Sequence, residues 1–385
     1  MRSCSFQADC TDARIGDPPI SDLRKRHGDD YELAQAEFPA DGAADQGQDM
    51  SRSRREFLKT AALTATIASL SAQPAAADTK FGKIKRGSIA SLFDDLPGDI
   101  GLKIYSPSPK GKPGFTVQVN ADKVLFAASA IKTFALCEAL RQADSPDIVG
   151  ALETKELALD AGVWSLGSPI FNPPDLSGMV SERTALEAMI LRSDNTATDM
   201  IFNLAGADNI RRFIASAGLR RTRIPDSTRI FSGYLFGAAN YKTITWDELL
   251  KLASAGRIAN PFLNDVETLA STAEDFVSYY ARALQGDFFR YDETLQEFRR
   301  ILTLCDFIYL IPVPLGVSAY AKSGNADTPG FHARAFAGGM FFDYRWVYFA
   351  FLLNWYAPVA DDTQTVEKLF LAINEALIRV RDTLS

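Results

Sequence analysis

Several things are scarce in this chain, and each scarcity closes a class of explanation. There are only four cysteines and two histidines in 385 residues. Cys4 and Cys10 lie at the very start, leaving Cys137 and Cys305 in the body of the chain. Two thiols at arbitrary spacing suit buried apolar side chains better than a disulfide framework, although an oxidising compartment would permit a bridge. His27 is also near the start, so His332 alone could supply an imidazole to the body, and no cofactor or metal-ligand spacing is visible. No apolar run is long enough to span a bilayer. The net charge is only −7 and is not gathered into a basic stripe, which gives nucleic acid no footprint. What remains is ordinary globular composition, 47% hydrophobic, enough for one large domain.

Residues 1–49 are polar and aperiodic and read as a disordered or mis-annotated leader, with Met50 as an alternative start. Ser53-Arg54-Arg55-Glu56-Phe57-Leu58-Lys59 then precedes a weakly apolar stretch from Thr60 to Ala72 and Ala75-Ala76-Ala77. Residues 50–77 therefore read as a twin-arginine export signal with an A-x-A cleavage site. The expected mature domain is 78–385, periplasmic or secreted, with the twin-arginine machinery as the precursor's partner.

Gly101–Tyr105 and Phe115–Val119 alternate around a Pro/Gly/Lys turn and predict a β-hairpin. Ala127–Leu140 predicts a central, buried helix. Helical patterns dominate from Thr184 to Ser216 and from Thr245 to Ala255, and two more helices follow between Ala273 and Leu304. Strands are expected at Ser318–Ala321, Phe331–Phe342 and Trp346–Trp355, before an amphipathic helix at Thr363–Asp382. Early and late strands must share one antiparallel sheet, flanked by helices, with an all-helical lobe inserted between them. The expected class is α/β in the α+β sense, two-lobed, with a small-molecule site at the lobe interface.

Three triplets carry the chemistry: Ser129-Ala130-Ile131-Lys132, Ser193-Asp194-Asn195 and Lys322-Ser323-Gly324. A serine hydroxyl needs a base to become nucleophilic. Ser129 and Lys132 are three apart and share a helix face, and a desolvated lysine has a lowered pKa. Ser193 could relay a proton and Asn195 could bond a substrate amide, although Ser, Asp and Asn equally favour caps and turns. Lys322 and Ser323 could hold an anion, and Gly324 allows close backbone approach.

The trio in this order, over nearly the whole mature domain, resembles the class A β-lactamase and penicillin-recognising serine hydrolase family. The resemblance implies acylation of Ser129 by a β-lactam or related acyl compound. It places the second oxyanion donor at Asn325 and the carboxylate-binding cation at His332 or Arg334. It also implies a deacylating Glu in a loop after Ser-Asp-Asn. Here the corresponding stretch, Thr222 to Thr243, has Asp226 as its only acidic residue. In this respect the chain is similar to the β-lactamase-like domain of the clavulanate-pathway hydrolase. A longer segment before Lys322, near Phe276 to Arg300, is expected to reshape the site's rim or form a dimer contact. The sequence leaves three readings open: a β-lactam hydrolase, an esterase or D-alanyl-peptidase-like enzyme, and a non-turnover β-lactam-binding or sensing protein. Their partners are a β-lactam, an ester or a cell-wall peptide.

Overall fold

A computed structural model describes residues 87–108, 114–310 and 313–385. All of them belong to one compact unit, Thr64–Ser385. The leader, the export signal and the start of the expected mature domain lie outside the described residues.

The sheet is built from both ends of this unit. β1 (Asp99–Ser106) and β2 (Phe115–Val119) form the expected hairpin. β7 (Ser318–Thr328), β8 (Phe331–Phe342) and β9 (Arg345–Trp355) come from the C-terminal part. Their order is β2-β1-β9-β8-β7, antiparallel throughout, with β1 on β9 in the register Asp99↔Asn354. β7 therefore forms one edge. Short strands β3 (Leu125–Phe126) and β6 (Ala270–Ser271) pair separately, as do β4 (Glu156–Leu159) and β5 (Gly178–Ser181).

Alternation along β8 and β9 assigns the faces. Phe336, Phe349, Phe351 and Leu353 pack with Leu369, Ile373 and Leu377 of the long terminal helix α10 (Thr363–Leu384). Ala333, Ala335, Ala337 and Ala350 face the opposite way, into the core shared with the helical lobe. Alanines on that face let helices approach closely.

The lobe comprises α1 (Lys132–Ala143), α2 (Ile148–Thr154), α3 (Glu182–Leu191), α4 (Asn195–Ala205), α5 (Ala207–Ser216), α6 (Thr228–Leu235), α7 (Trp246–Ser254), α8 (Ala273–Ala283) and α9 (Asp292–Thr303). From Lys132 to Leu140 every residue of α1 is buried, so this helix is the lobe's axis. Local chemistry fixes the boundaries. Ser181 caps α3 by accepting from the Thr184 amide, and Thr245 and Glu248 form a capping box at α7.

Strand β7 runs well past the expected Ser318–Ala321, pairing with β8 as far as Thr328↔Phe331. The aromatic side chains near Phe276 to Arg300 mostly face the interior. Phe276, Tyr279, Tyr280 and Phe298 are wholly buried, and Phe134 of α1 stacks on Phe276 at 5.6 Å. The arginines of these helices lie peripherally, with Arg300 paired to Glu297 and Glu187. The helices are amphipathic, so aromatic content marks their inward faces and charge their outward ones. Among the described residues no helix is long and apolar enough to cross a membrane.

Candidate active site

The first motif sits on a tight turn. Asn354 of β9 clamps β3 by accepting from the Phe126 amide (2.8 Å) and donating to the Phe126 carbonyl (2.9 Å). The chain then enters a 3₁₀ turn, Ala128–Ile131, that runs directly into α1. Ala128 has φ +47°, an unfavourable conformation for a residue with a Cβ, immediately before Ser129. Ser129 is partly exposed, whereas Lys132 is wholly buried.

The second motif fills the turn between α3 and α4. Ser193 is again in the left-handed region at φ +56°. Asp194 caps α4 through the Ala197 amide (2.8 Å) and accepts from the amides of Ile170 and Phe171 (both 2.9 Å). Held this way, the turn faces Lys132, whose Nζ donates to the Ser193 carbonyl (2.6 Å), to Ser193 Oγ (3.2 Å) and to Asn195 Oδ1 (2.6 Å). Asn195 Nδ2 donates to the Leu166 carbonyl (2.6 Å), which fixes the amide's orientation.

The third motif is carried by edge strand β7. A Cβ on Gly324 would lie 2.3 Å from the Ala127 carbonyl oxygen and 2.8 Å from the Ser129 amide nitrogen. The strand therefore rests against the nucleophile turn, backbone on backbone, and only glycine permits it. Lys322 is wholly buried and donates to the Ser323 carbonyl at 3.0 Å.

Burial lowers the Lys132 ammonium well below the usual lysine range, and the nearby Lys322 charge lowers it further. Asp194 and Asp199 oppose that shift. Lys322 is lowered by burial as well, against the pull of Cys305 and Asp306. A lysine whose proton is held less tightly than usual, beside the hydroxyls of Ser129 and Ser193, is suited to moving a proton.

Other predicted residues are arranged differently. Ser323 Oγ lies 3.7 Å from the Cys305 thiol and the residue is buried, so its hydroxyl faces the protein rather than an incoming anion. Asn325 stands opposite Arg334 in the ladder. Arg334 makes a two-pronged pair with Asp327 at 2.9 and 2.8 Å. His332 is wholly buried, bonded through its two ring nitrogens to Asp327 (3.0 Å) and the Val359 carbonyl (3.1 Å), and stacked on Trp355. Asp327 thus ties up both expected carboxylate binders, and His332 acts as a strut for the sheet. Cys137 and Cys305 are buried free thiols.

The two carboxylates that act on Lys132 are both saturated with donors. Those of Asp194 are given above. Asp199 accepts from the Thr228 amide (2.6 Å), the Thr228 hydroxyl (2.7 Å) and the Arg229 amide (3.0 Å). Asp226 pairs instead with Arg211 at 2.5 Å, and its amide donates to Glu267. These two acids line a cavity of about 610 Å³ with Arg211, Arg223, Lys242 and Ile224, and none of the three motifs contributes to its wall. Among the described residues no cluster of His, Cys, Asp or Glu could hold a metal.

Asp199 and Thr228 were not singled out by the sequence reading. The available signal was an aspartate four residues after Asn195 on a helix otherwise apolar through Met200, Ile201 and Phe202.

With this geometry in view, residues 87–342 match the family described as the β-lactamase enzyme family. The chain belongs to that family. It is a serine hydrolase of the β-lactamase type by membership, and its fold agrees. The TLA-1 extended-spectrum β-lactamase superposes with a TM-score of 0.56 at 17% identity, covering 78% of this chain and 97% of that one. A β-lactamase from Sphaerobacter thermophilus gives 0.56 at 19%, covering 77% and 96%. PBP-A gives 0.55 at 17%, also covering 77% and 96%. A search of curated proteins gives no match.

Proposed function

We propose that this protein is an exported β-lactamase-family hydrolase in which Ser129 is acylated by a β-lactam or a related acyl compound. Lys132 takes the proton from Ser129, Ser193 passes it to the leaving nitrogen, and Asn195 orients the substrate amide. The amides of Ser129 and Asn325 stabilise the oxyanion, and Lys322 supplies positive potential beneath the site. The observation that carries this reading is the convergence on Lys132. Its ammonium is buried, depressed in pKa and bonded to both Ser193 and Asn195, one turn from Ser129 and beside Lys322.

Acylation is expected to outpace deacylation. The carboxylates nearest Lys132 are occupied by backbone donors, and Asp226 is turned into its pair with Arg211. The occupied carboxylates support a slow hydrolase with a long-lived acyl-enzyme; the working domain is 78–385 after removal of 50–77, acting in the periplasm or outside the cell. The esterase and D-alanyl peptidase readings share the same intermediate.

The test is time-resolved intact mass of the protein with a penicillin, beside Ser129→Ala. A persistent adduct on wild type alone is the expected result. An adduct on Ser129→Ala, or lactam loss unaffected by that substitution, would overturn the mechanism. Simple esters and D-alanyl peptides in the same assay identify the preferred acyl donor. Amino-terminal sequencing of the exported protein tests the cleavage after Ala77.

A further inference from the structure

We infer that Asp199 is a positioning residue for this chemistry, acting with Thr228 to fix Asn195 and to set the charge balance around Lys132. The inference rests on the function proposed above but makes a separate claim about a residue outside the three motifs.

Asp199 follows Asn195 by one helical turn on α4, so both side chains leave the same face. Its carboxylate does not cap its own helix. It reaches the first turn of α6, where the amides of Thr228 and Arg229 have no intrahelical acceptor, and takes both together with the Thr228 hydroxyl. Thr228 Oγ1 in turn lies 2.9 Å from Ser165 Oγ and 3.3 Å from the Asn195 carbonyl. The Asn195 side chain spans from the Leu166 carbonyl, one residue after Ser165, to Lys132 Nζ. With its one proton given to Asp199, Thr228 Oγ1 accepts from Ser165 Oγ, and the link to the proposed base then runs along the chain to Leu166 and through the Asn195 amide to Lys132. Asp199, Thr228, Lys132 and Ser165 are buried, and Asn195 and Leu166 are half-buried, so both ends of this link are shielded from solvent.

Three donors on two oxygens require an acceptor-only group. An asparagine would turn its own NH₂ toward one of those donors, whereas an ionised carboxylate accepts all three. The same charge also acts on Lys132. The groups facing the ammonium are Lys322 from β7, Asp194 from the turn before α4, and Asp199 from α4 itself. Arg229 faces Asp199 from α6. Lys322 favours the neutral amine, and the two aspartates favour the ammonium. Burial raises Asp199 itself to about 6, against the hydrogen bonds from Thr228 and Arg229. Its charge is therefore present at neutral pH and fades on acidification.

The test is NMR titration of Lys132 in full-length protein labelled at lysine Cε, together with the pH profile of penicillin acylation measured by mass. In wild type, the Lys132 signal should show a second inflection near pH 6 as Asp199 protonates. Asp199→Asn should lower the main Lys132 midpoint by roughly half a unit or more, as expected on losing a nearby opposite charge. The acid limb of acylation should move down with it. Thr228→Val keeps the charge and should slow acylation several-fold without moving the midpoint, and Thr228→Ser should restore the rate. An unmoved Lys132 midpoint in Asp199→Asn would overturn the inference, leaving Asp199 a fold anchor only. If Asp199→Asn does not fold, a wild-type Lys132 signal with no inflection near pH 6 overturns it equally. The NMR readout needs no turnover, so failure of the proposed acylation would be seen separately.

Discussion

Replacing Gly324 by alanine isolates the contact between strand and nucleophile turn. The new Cβ would sit 2.3 Å from the Ala127 oxygen, 2.7 Å from the Ala130 nitrogen and 2.8 Å from the Ser129 nitrogen. All three are backbone atoms, so no side chain can swing away. Ordinary contact needs about 3.5 Å, and β7 and the turn must separate by about 1 Å. Overpacking of this kind costs about 1–3 kcal/mol, and a backbone-to-backbone clash belongs at the upper end. A displacement of about 1 Å at the Ser129 amide should also slow acylation by about 10²-fold, because oxyanion donors act only when preplaced. Urea unfolding reads the first effect, and the time course of the acyl adduct by mass reads the second. Gly330→Ala is the matched control. Its Cβ meets nothing within 4 Å, so it should keep acylation intact whatever its positive φ costs in stability. Gly324→Ala with an unchanged unfolding midpoint and acylation within threefold of wild type would refute the close-approach argument.

Asn354→Leu leaves the amide and carbonyl of Phe126 buried without partners, and should destabilise by about 2–4 kcal/mol in urea unfolding. Lys132→Met should lower the acylation rate by roughly 10²–10⁴-fold, as expected on losing a general base, while chemical unfolding shows little loss of stability because a desolvated ammonium has been removed. Asp362 caps α10 through the Thr365 amide and hydroxyl, and also accepts from Trp355 Nε1. Burial pushes this carboxyl up, but those bonds and the nearby His332 outweigh it and hold it below its usual value. A depressed carboxylate stabilises the fold above the ordinary range near pH 4, and that contribution is lost as pH falls through the depressed value. Melting curves of Asp362→Ala and wild type should therefore differ most at neutral pH and converge in strong acid.

The sequence made the three motifs legible because each compresses its chemistry into three or four neighbouring residues. Ser129 and Lys132 share a turn, and Gly324 signals close approach without reference to what approaches. The strands were legible wherever alternation was strong. Asn325–Thr328 hid its strand character because Asn, Asp and Thr favour turns locally, and pairing with β8 overrides that preference. Asp199 and Thr228 were invisible for another reason. They meet across 29 residues, and neither carries a local pattern that names the other. The Asn354 clamp spans 228 residues. The surroundings of His332 were not legible because a lone histidine on a strand does not announce its ring partner, and Trp355 lies on the neighbouring strand. The aromatic helices α8 and α9 were legible as helices, but composition alone did not give the phase of their inward faces. Phe276 and Phe298 turn inward while Arg300 pairs with Glu187 and Glu297 further out, a division that an average over the segment conceals.

The pairing of β1 with β9 bears on how the molecule is made. The first long strand waits on the ribosome for a partner almost 250 residues downstream. Until Arg345–Trp355 has emerged, β1 and β2 are an isolated hairpin with an open edge, and such a unit is at best marginally stable. Most of the helical lobe precedes β8 and β9 in the chain and can begin to condense earlier, so Lys132 can meet Ser193 and Asn195 within it, whereas α8 waits for the sheet it packs on. The Lys322 strand has no ladder to join before β8 and β9 are present. During synthesis the proton-handling half of the site therefore precedes the half that would grip a substrate. A chain stopped short of Trp355 is expected to be inert and exposed to aggregation, however complete its lobe.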